Sequence, residues 1–243
     1  MTTSETRTAP IADVDVRSLK KWSIAYYREE WPRIGAVAAM ILAGVSVLGG
    51  RKSLTNPRTL AVMNALALAV HQYEEYIDPG YFPGQTNAAV MRSKYPRTWP
   101  LNRQSSLCIN TVLAYPFYLL PIVFPRVKWI SLPPMLFGLF QVFDHGVVMP
   151  ALSRSKYSPG FLAASLLHLP IAVAYIRALR LDGPIGRDTW RKSAGVTALF
   201  FAALMVPFFA FMDKDSPYPF SSRHMGDYDS QVASDPVDAD QTT

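Results

Sequence analysis

The feature that most limits the fold of this chain is a series of six apolar segments, each close to the length of a membrane-crossing helix. An α-helix rises 1.5 Å per residue, so about 20 residues cross the ~30 Å hydrocarbon core of a bilayer. The six segments are Ile34–Leu48, Thr59–Ile77, Ser106–Phe124, Trp129–Met149, Pro159–Leu179 and Ala194–Met212. We therefore predict an all-α fold over residues 34–212, a polytopic membrane helical bundle with about six transmembrane helices.

The charge distribution supports a membrane protein and excludes a nucleic-acid-binding one. Only 17% of the residues are charged, against about 25% in soluble domains. The formal net charge is +6, but the Lys and Arg residues lie between the apolar segments, where they anchor helices at lipid headgroups. We predict membrane lipids as partners, no nucleic acid, and a multi-pass protein of the cell membrane. A single cysteine, Cys108, rules out an intrachain disulfide and a cysteine zinc cluster.

The two ends of the chain differ from the apolar middle. Residues 1–16 are polar without a hydrophobic period, and we expect a disordered tail there. Residues 17–33 mix basic residues with tryptophans and tyrosines, which is typical of an amphipathic segment at the membrane interface. Residues 213–243 are polar and acidic, and we expect a second disordered tail. The distribution of Lys and Arg slightly favours both termini on the cytoplasmic side.

The second apolar segment carries polar residues on one side. At 100° per residue, its polar side chains fall within one sector of about 100°. They are Asn64, His71, Glu74, Glu75 and Asp78. Apart from Asn64, the apolar part Leu60–Val70 covers only about 16 Å, so the helix must carry His71 into the bilayer. Ionisable residues inside a membrane face the interior of a bundle and mark functional sites.

Two later segments supply partners for this polar face. The fourth segment carries Asp144 and His145 near its C-terminal end. The fifth segment carries His168 about nine residues, or ~13 Å, from its start. The second and fourth segments cross in the same direction and carry their polar residues at the same end, where the fifth segment begins. We therefore expect His71 and the two glutamates to meet Asp144, His145 and His168 in one leaflet.

These motifs resemble those of the HXXEE-domain family of polytopic membrane proteins. The resemblance rests on "HQYEEYIDPGYF" beginning at His71, on Asn87, on "FDHGVVMP" and on "KYSPGFLAASLLHLP". It extends roughly from Ala61 to Leu179. The family name refers to the pattern formed here by His71, Glu74 and Glu75, and the resemblance implies a helical membrane protein without an established reaction.

The polar cluster fits a metal-dependent membrane enzyme. His71 and Glu75, with His145 or His168, would hold a divalent metal such as zinc or iron and leave one position open. Glu74 would act as the base, and Asp144 would complete the catalytic set. The substrate would be a lipophilic small molecule.

Other classes of function remain compatible with the same residues. Without a metal, the adjacent carboxylates would share a proton and work beside a histidine base, as in an isomerase or cyclase acting on a lipid-like substrate. A chain of buried His, Glu and Asp could also relay protons or bind a cation in a transporter. Finally, the cluster could be a structural polar network that holds the helices together without catalysis.

Overall fold

The chain forms helices and connecting turns. The computed structural model describes residues 23–48, 55–210 and 213–232, and no strand occurs within them. The main helices, in chain order, are α1 (Ile24–Leu48), α2 (Pro57–Tyr76), the short α3 (Phe82–Gly84), α4 (Arg103–Val123), α5 (Lys128–Ser153), α6 (Phe161–Leu181), α7 (Arg187–Ala210) and the short α8 (Ser222–Met225). The predicted all-α fold is confirmed.

Three of the long helices, α4, α5 and α6, are long and apolar enough to cross a membrane. Large apolar side chains cover the outer faces of the bundle, and on three helices some of them are 64–70% exposed. Examples are Met40 on α1, Leu166 on α6 and Leu199 on α7. Exposed apolar surface spread over several helices is unusual for a water-soluble protein and typical of a surface in contact with lipid.

Helix α2 occupies the centre of the bundle and packs against α1, α4 and α6. One apolar cluster lies on the side of Leu68 and includes Phe117 and Phe137, whereas a second lies on the side of Ala67 and includes Tyr175. The polar face of α2 lies between these clusters and is buried along its length. The fold therefore places the polar residues of α2 where apolar packing holds them on both sides.

Widened turns interrupt α4, α5 and α6. The backbone follows a π-helix over Cys108–Ala114, Asp144–Val148 and Ala164–His168. In each case a proline, Pro116, Pro150 or Pro170, follows two residues after the widened turn. A proline lacks the N–H group and its ring meets the carbonyl of the preceding turn, so a wider turn before it relieves the contact. Two of these turns contain His145 and His168.

The segment between α2 and α4, residues 77–102, forms a loop layer across one end of the bundle. Asn87 is fully buried and joins this layer together: its side-chain amide donates to the carbonyls of Pro96 and Leu101, both at 2.8 Å, and its oxygen accepts from the Leu101 N–H at 3.1 Å. Asn102 caps α4 in a reciprocal arrangement with Ser105. The side chains of both asparagines thus form their hydrogen bonds within the layer and at the start of α4.

The C-terminal segment, residues 213–232, differs from the predicted disordered tail because it packs onto the loop layer. Phe220 and Met225 are 2% and 0% exposed, and they join the apolar cluster around Phe117. Arg97 pairs with Asp229 at 2.8 Å. Backbone hydrogen bonds also attach the segment, since the Phe220 N–H donates to the Arg97 carbonyl at 2.8 Å and the Arg103 N–H donates to the Tyr218 carbonyl at 3.0 Å. Residues 233–243 of the predicted tail lie outside the described residues.

The N-terminal part of α1 covers residues 24–33 of the predicted interfacial segment. Residues 24–33 are continuous with the apolar part of the helix, and Trp31 is 3% exposed. Arg28 donates to Gln104 at 2.5 Å and lies 3.8 Å above the Tyr218 ring. These residues therefore pack against protein as well as facing the outside. Residues 1–16, predicted to be a disordered tail, and residues 17–22 lie outside the described residues.

Candidate metal centre

A buried cluster of two imidazoles and one carboxylate lies between α2 and α5. Glu75 Oε1 is 3.4 Å from His71 Nε2 and 3.5 Å from His145 Nε2. One ligand atom from each of the three residues lies within 4.8 Å of the others. His71 and His145 are each 1% exposed and Glu75 is 6% exposed. Among the predicted site residues, these three form the closest group.

The local structure explains why these side chains converge. His71 and Glu75 are four residues apart on α2 and therefore project from the same face. His145 lies in the widened turn of α5, and the Ser158 hydroxyl lies 3.0 Å from its Nδ1. Gly160 closes the cluster from the turn before α6: a Cβ atom there would lie 2.8 Å from Cε1 of both imidazoles. Its φ of +105° also favours glycine.

His168 lies behind this group. Its ring centroid is 5.7 Å from that of His71, and its Nδ1 is 2.8 Å from Asn64 Oδ1. The Asn64 amide donates to the Pro134 carbonyl at 3.4 Å, so its oxygen faces the imidazole. His168 therefore carries its proton on Nδ1, and its Nε2 holds a lone pair. The structure places His168 next to the three-residue group but outside it.

Glu74 points away from the imidazoles and caps the beginning of α6. Its Oε1 accepts from the Leu162 N–H at 3.1 Å and from the Tyr157 hydroxyl, and its Oε2 accepts from the Ala163 N–H at 2.8 Å. A carboxylate is favourable at a helix N-terminus because the first N–H groups have no partner within the helix. Burial and the hydrogen bond to Glu74 raise the pKa of Tyr157 above its usual range.

Neither ring nitrogen of His71 has a hydrogen-bond partner among the described residues, and the same is true of His168 Nε2. Buried polar atoms without partners are uncommon because each costs about 1–3 kcal/mol. Neutral imidazole and carboxylate are normal ligands for zinc and iron. The unpartnered nitrogens of His71 beside Glu75 and His145 therefore fit a divalent metal.

A cavity of about 100 Å³ opens against this cluster. Its polar side includes His71, Glu75, His145 and Asp144. The rest of its lining is largely apolar and comes from several elements, with Ile109 on α4, Phe137 on α5 and Phe201 on α7 among the contributors. Asp144 is half-buried and reaches the same space as Glu75. The arrangement can hold a small molecule with a polar group against the imidazoles and a hydrocarbon part against the apolar wall.

Several residues of the site were missed in the sequence. Ser158 and Gly160 belong to the Tyr-Ser-Pro-Gly turn of the "KYSPGFLAASLLHLP" motif, and the sequence analysis gave neither residue a role in the site. Asn110 lines the cavity and accepts a hydrogen bond from Gln72 at 3.1 Å. The glycine after a proline just before an apolar segment was a usable signal, because glycine permits a positive φ and a close approach.

The fold and the site define an α-helical protein with candidate membrane-crossing helices and a buried His/Glu centre. Residues 62–175 match the model of a family described as a protein of unknown function with HXXEE motif. The predicted resemblance to HXXEE proteins is confirmed over that range, which contains every residue of the cluster. The description names the motif and assigns neither a membrane nor a reaction. No curated protein and no solved structure matches the chain.

Proposed function

We propose that this protein is a membrane-embedded enzyme in which His71, Glu75 and His145 hold a divalent metal, zinc or iron, and act on a lipophilic small molecule. The observation that carries the proposal is the spacing of the three side chains. Ligand atoms of a tetrahedral site lie about 3.4 Å apart when each bond to the metal is about 2.1 Å long. The distances from Glu75 Oε1 to Nε2 of His71 and of His145, 3.4 and 3.5 Å, fit that spacing.

The kind of ligand supports a catalytic rather than a structural metal. Structural zinc sites are usually closed by four protein ligands rich in cysteine, whereas catalytic sites use three ligands and keep one position open. When bound, such a metal polarises a substrate oxygen or lowers the pKa of a bound water. Two histidines and one glutamate beside a cavity match the catalytic composition.

The surrounding residues have separate tasks in this proposal. Ser158 fixes the orientation of the His145 ring, so that Nε2 faces Glu75. Asp144 lies on the cavity wall and acts as the general acid or base, which donates a proton to the substrate or accepts one from it. The sequence had suggested Glu74 as the base, but the three hydrogen bonds that its carboxylate accepts at the start of α6 suit a positioning role. Glu74 would then hold the Tyr157–Ala163 turn against the imidazoles.

The membrane part of the proposal extends beyond the three apolar helices. We propose that α1, α2 and α7 also cross the bilayer, which gives six spans and places the metal centre in one leaflet. Six long helices and exposed apolar side chains on α1 and α7 support this topology. The polar face of α2 is compatible with it because those residues are buried inside the bundle.

The proposal is tested by elemental analysis of the protein purified in detergent. We expect about one metal per chain in the wild type, its loss in Glu75→Gln and His71→Ala, and its retention in Glu74→Gln, the matched neighbour. His168→Gln should also retain it. If the wild type carries no metal and a chelator leaves its thermal stability unchanged, the metal proposal is wrong.

That outcome would favour an acid–base enzyme instead. The specific observation behind this second candidate is that one carboxylate oxygen lies almost equally far from two imidazoles, an arrangement in which a proton can be shared. Isomerisation or cyclisation of a lipid-like substrate would then be the reaction class.

A further inference from the structure

An open apolar groove on the outside of the bundle adjoins the cavity beside the metal centre. The groove lies between α5 and α7 and has a volume of about 330 Å³. Phe137 and Phe201 line both spaces. We propose that together they bind a single-chain amphiphile, with its polar end at the His71/Glu75/His145 centre and its hydrocarbon chain leaving between α5 and α7. This inference rests on the proposed function and specifies its substrate class.

The polarity of the two spaces sets the direction of the ligand. The inner cavity holds all the ionisable His, Glu and Asp side chains of the two spaces, together with Asn110 and Gln141. The groove is lined by apolar side chains and by one hydroxyl, that of Thr197. Hydrocarbon gains free energy from burial against apolar surface, whereas a polar group loses it unless hydrogen-bonded. A ligand with one polar end is therefore stable in one orientation, with that end inside.

The same lining argues against a peptide in the groove. The Thr197 hydroxyl donates within its own helix to the Ser193 carbonyl at 2.9 Å, and it also lies 3.3 Å from the Pro133 carbonyl. No other side chain lining the groove carries a hydrogen-bonding group. The amide groups of a peptide would remain unpaired there, which costs several kcal/mol each in a membrane. A hydrocarbon chain has no such groups.

The junction between the spaces has one fixed side and one accessible side. Phe137 is 5% exposed, and its ring contacts Phe117 and Phe200, which are stacked at 3.7 Å. Phe201 is 38% exposed, and its ring lies 5.1 Å from that of Phe140. We therefore assign Phe137 as the rigid wall and Phe201 as the side chain that turns aside when a chain passes.

The test uses hexadecanol carrying a photoreactive diazirine, added to the wild-type protein in detergent and followed by mapping of the labelled peptides. A diazirine next to the hydroxyl should label the cavity residues of α2 and α5. A diazirine near the terminal methyl should label the groove residues of α5 and α7. Ala198→Trp fills the groove from an exposed position and should abolish the α7 label. Ala203→Trp, also exposed on α7 but outside the groove, is the matched control and should keep it.

The outcomes separate this inference from the proposed function. Labels spread evenly over all the outer helix faces, or an α7 label that survives Ala198→Trp, would overturn the inference even if the metal is present. If the labels are position-specific but the protein carries no metal, the proposed amphiphile site stands and only the metal proposal is wrong. Reversed labels, with the hydroxyl end in the groove, would also overturn the inference.

Discussion

Two buried polar regions of this protein differ in how their hydrogen-bonding groups are used. In the loop layer, the side chain of Asn87 forms three hydrogen bonds and none of its polar atoms is left over. In the centre beneath it, neither ring nitrogen of His71 has a hydrogen-bond partner among the described residues, and the Glu75 carboxylate lies 3.4 Å from its Nε2. Both regions are equally buried, so burial alone does not distinguish a structural group from a functional one.

The difference indicates what each region is for. A fully paired network stabilises the fold, because removal of one member leaves the others buried and unpaired. A cluster with unused nitrogens is ready for a ligand and adds little to the free energy of unfolding without one. The comparison can be tested by measuring unfolding of the metal-free protein in detergent for variants in each region.

The largest loss of stability is expected from Asn87→Ala in the loop layer. The substitution leaves the carbonyls of Pro96 and Leu101 and one N–H group without partners, and we expect a loss of about 3–5 kcal/mol. Chemical or thermal unfolding followed by circular dichroism measures it. Asn56→Ala, at the exposed cap of α2, is the control and should cost about 1 kcal/mol. Equal effects would mean that the Asn87 network is not structural.

The next largest effect is expected where the turn meets the centre, from Gly160→Ala. The added methyl group would meet both imidazoles at 2.8 Å in a backbone with φ of +105°, so we expect a loss of about 2 kcal/mol or more. Gly183→Ala is a matched control, because Gly183 has a φ of +100° and open space around it. The difference between the variants in thermal unfolding isolates the imidazole contact, and no difference would contradict it.

A smaller effect is expected from Glu74→Gln. Glutamine can accept one of the hydrogen bonds at the start of α6 but loses the charge and one acceptor, which should cost about 1–2 kcal/mol. Tyr157→Phe removes only the hydroxyl donor and should cost less. If Glu74→Gln left stability unchanged but removed the metal, Glu74 would be a ligand rather than a cap.

A modest pH dependence is expected from the C-terminal segment. Burial and the nearby Arg223, Arg103 and Arg33 lower the pKa of His224 to about 4, against the ordinary value of about 6.5. Between these two pKa values the unfolded chain binds more protons than the folded one. The contribution of His224 to the free energy of unfolding is therefore full above about pH 6.5 and is lost as the pH falls from there through 4. The contribution should be under about 1 kcal/mol, since water reaches part of the ring. His224→Gln should flatten this part of the unfolding curve, and an unchanged curve would refute the assignment.

The smallest effect on stability is expected from Glu75→Gln, although it should remove the metal completely. The variant replaces a buried carboxylate by a neutral amide, so the metal-free protein should unfold with an unchanged or slightly higher free energy. Elemental analysis and unfolding measured on the same sample give both quantities. If the variant is strongly destabilised and its metal content is unchanged, the centre is a structural network. The contrast with the loop layer would then be wrong.

Much of this arrangement could be predicted from the sequence. The period of 3.6 residues put Asn64, His71 and Glu75 on one face of α2, and the alternating direction of the helices brought His145 and His168 to the same end. These are consequences of regular geometry and need no tertiary detail. The choice between His145 and His168 could not be made, because it depends on the widened turns and on the contact between His168 and Asn64.

Other features depend on contacts between distant parts of the chain. Glu74 forms hydrogen bonds to residues more than 80 positions away, and the sequence near it does not indicate those partners. Likewise, the charge of the C-terminal segment suggested disorder, whereas Phe220 and Met225 pack in one apolar cluster with Leu101 of the loop layer. Sequence patterns report the faces of helices, but they do not report which surface a short polar segment will meet.

The packing of the C-terminal segment also sets an order of events during synthesis. Residues 213–232 leave the ribosome after all six long helices, yet they complete the loop layer that lies over the first half of the chain. Until Phe220 and Met225 arrive, the apolar pocket beneath Gly84 and Leu101 remains open to water at the end of the bundle. A nascent chain stopped before residue 213 should therefore expose this pocket to chaperones and proteases, whereas a chain that extends past residue 232 closes it.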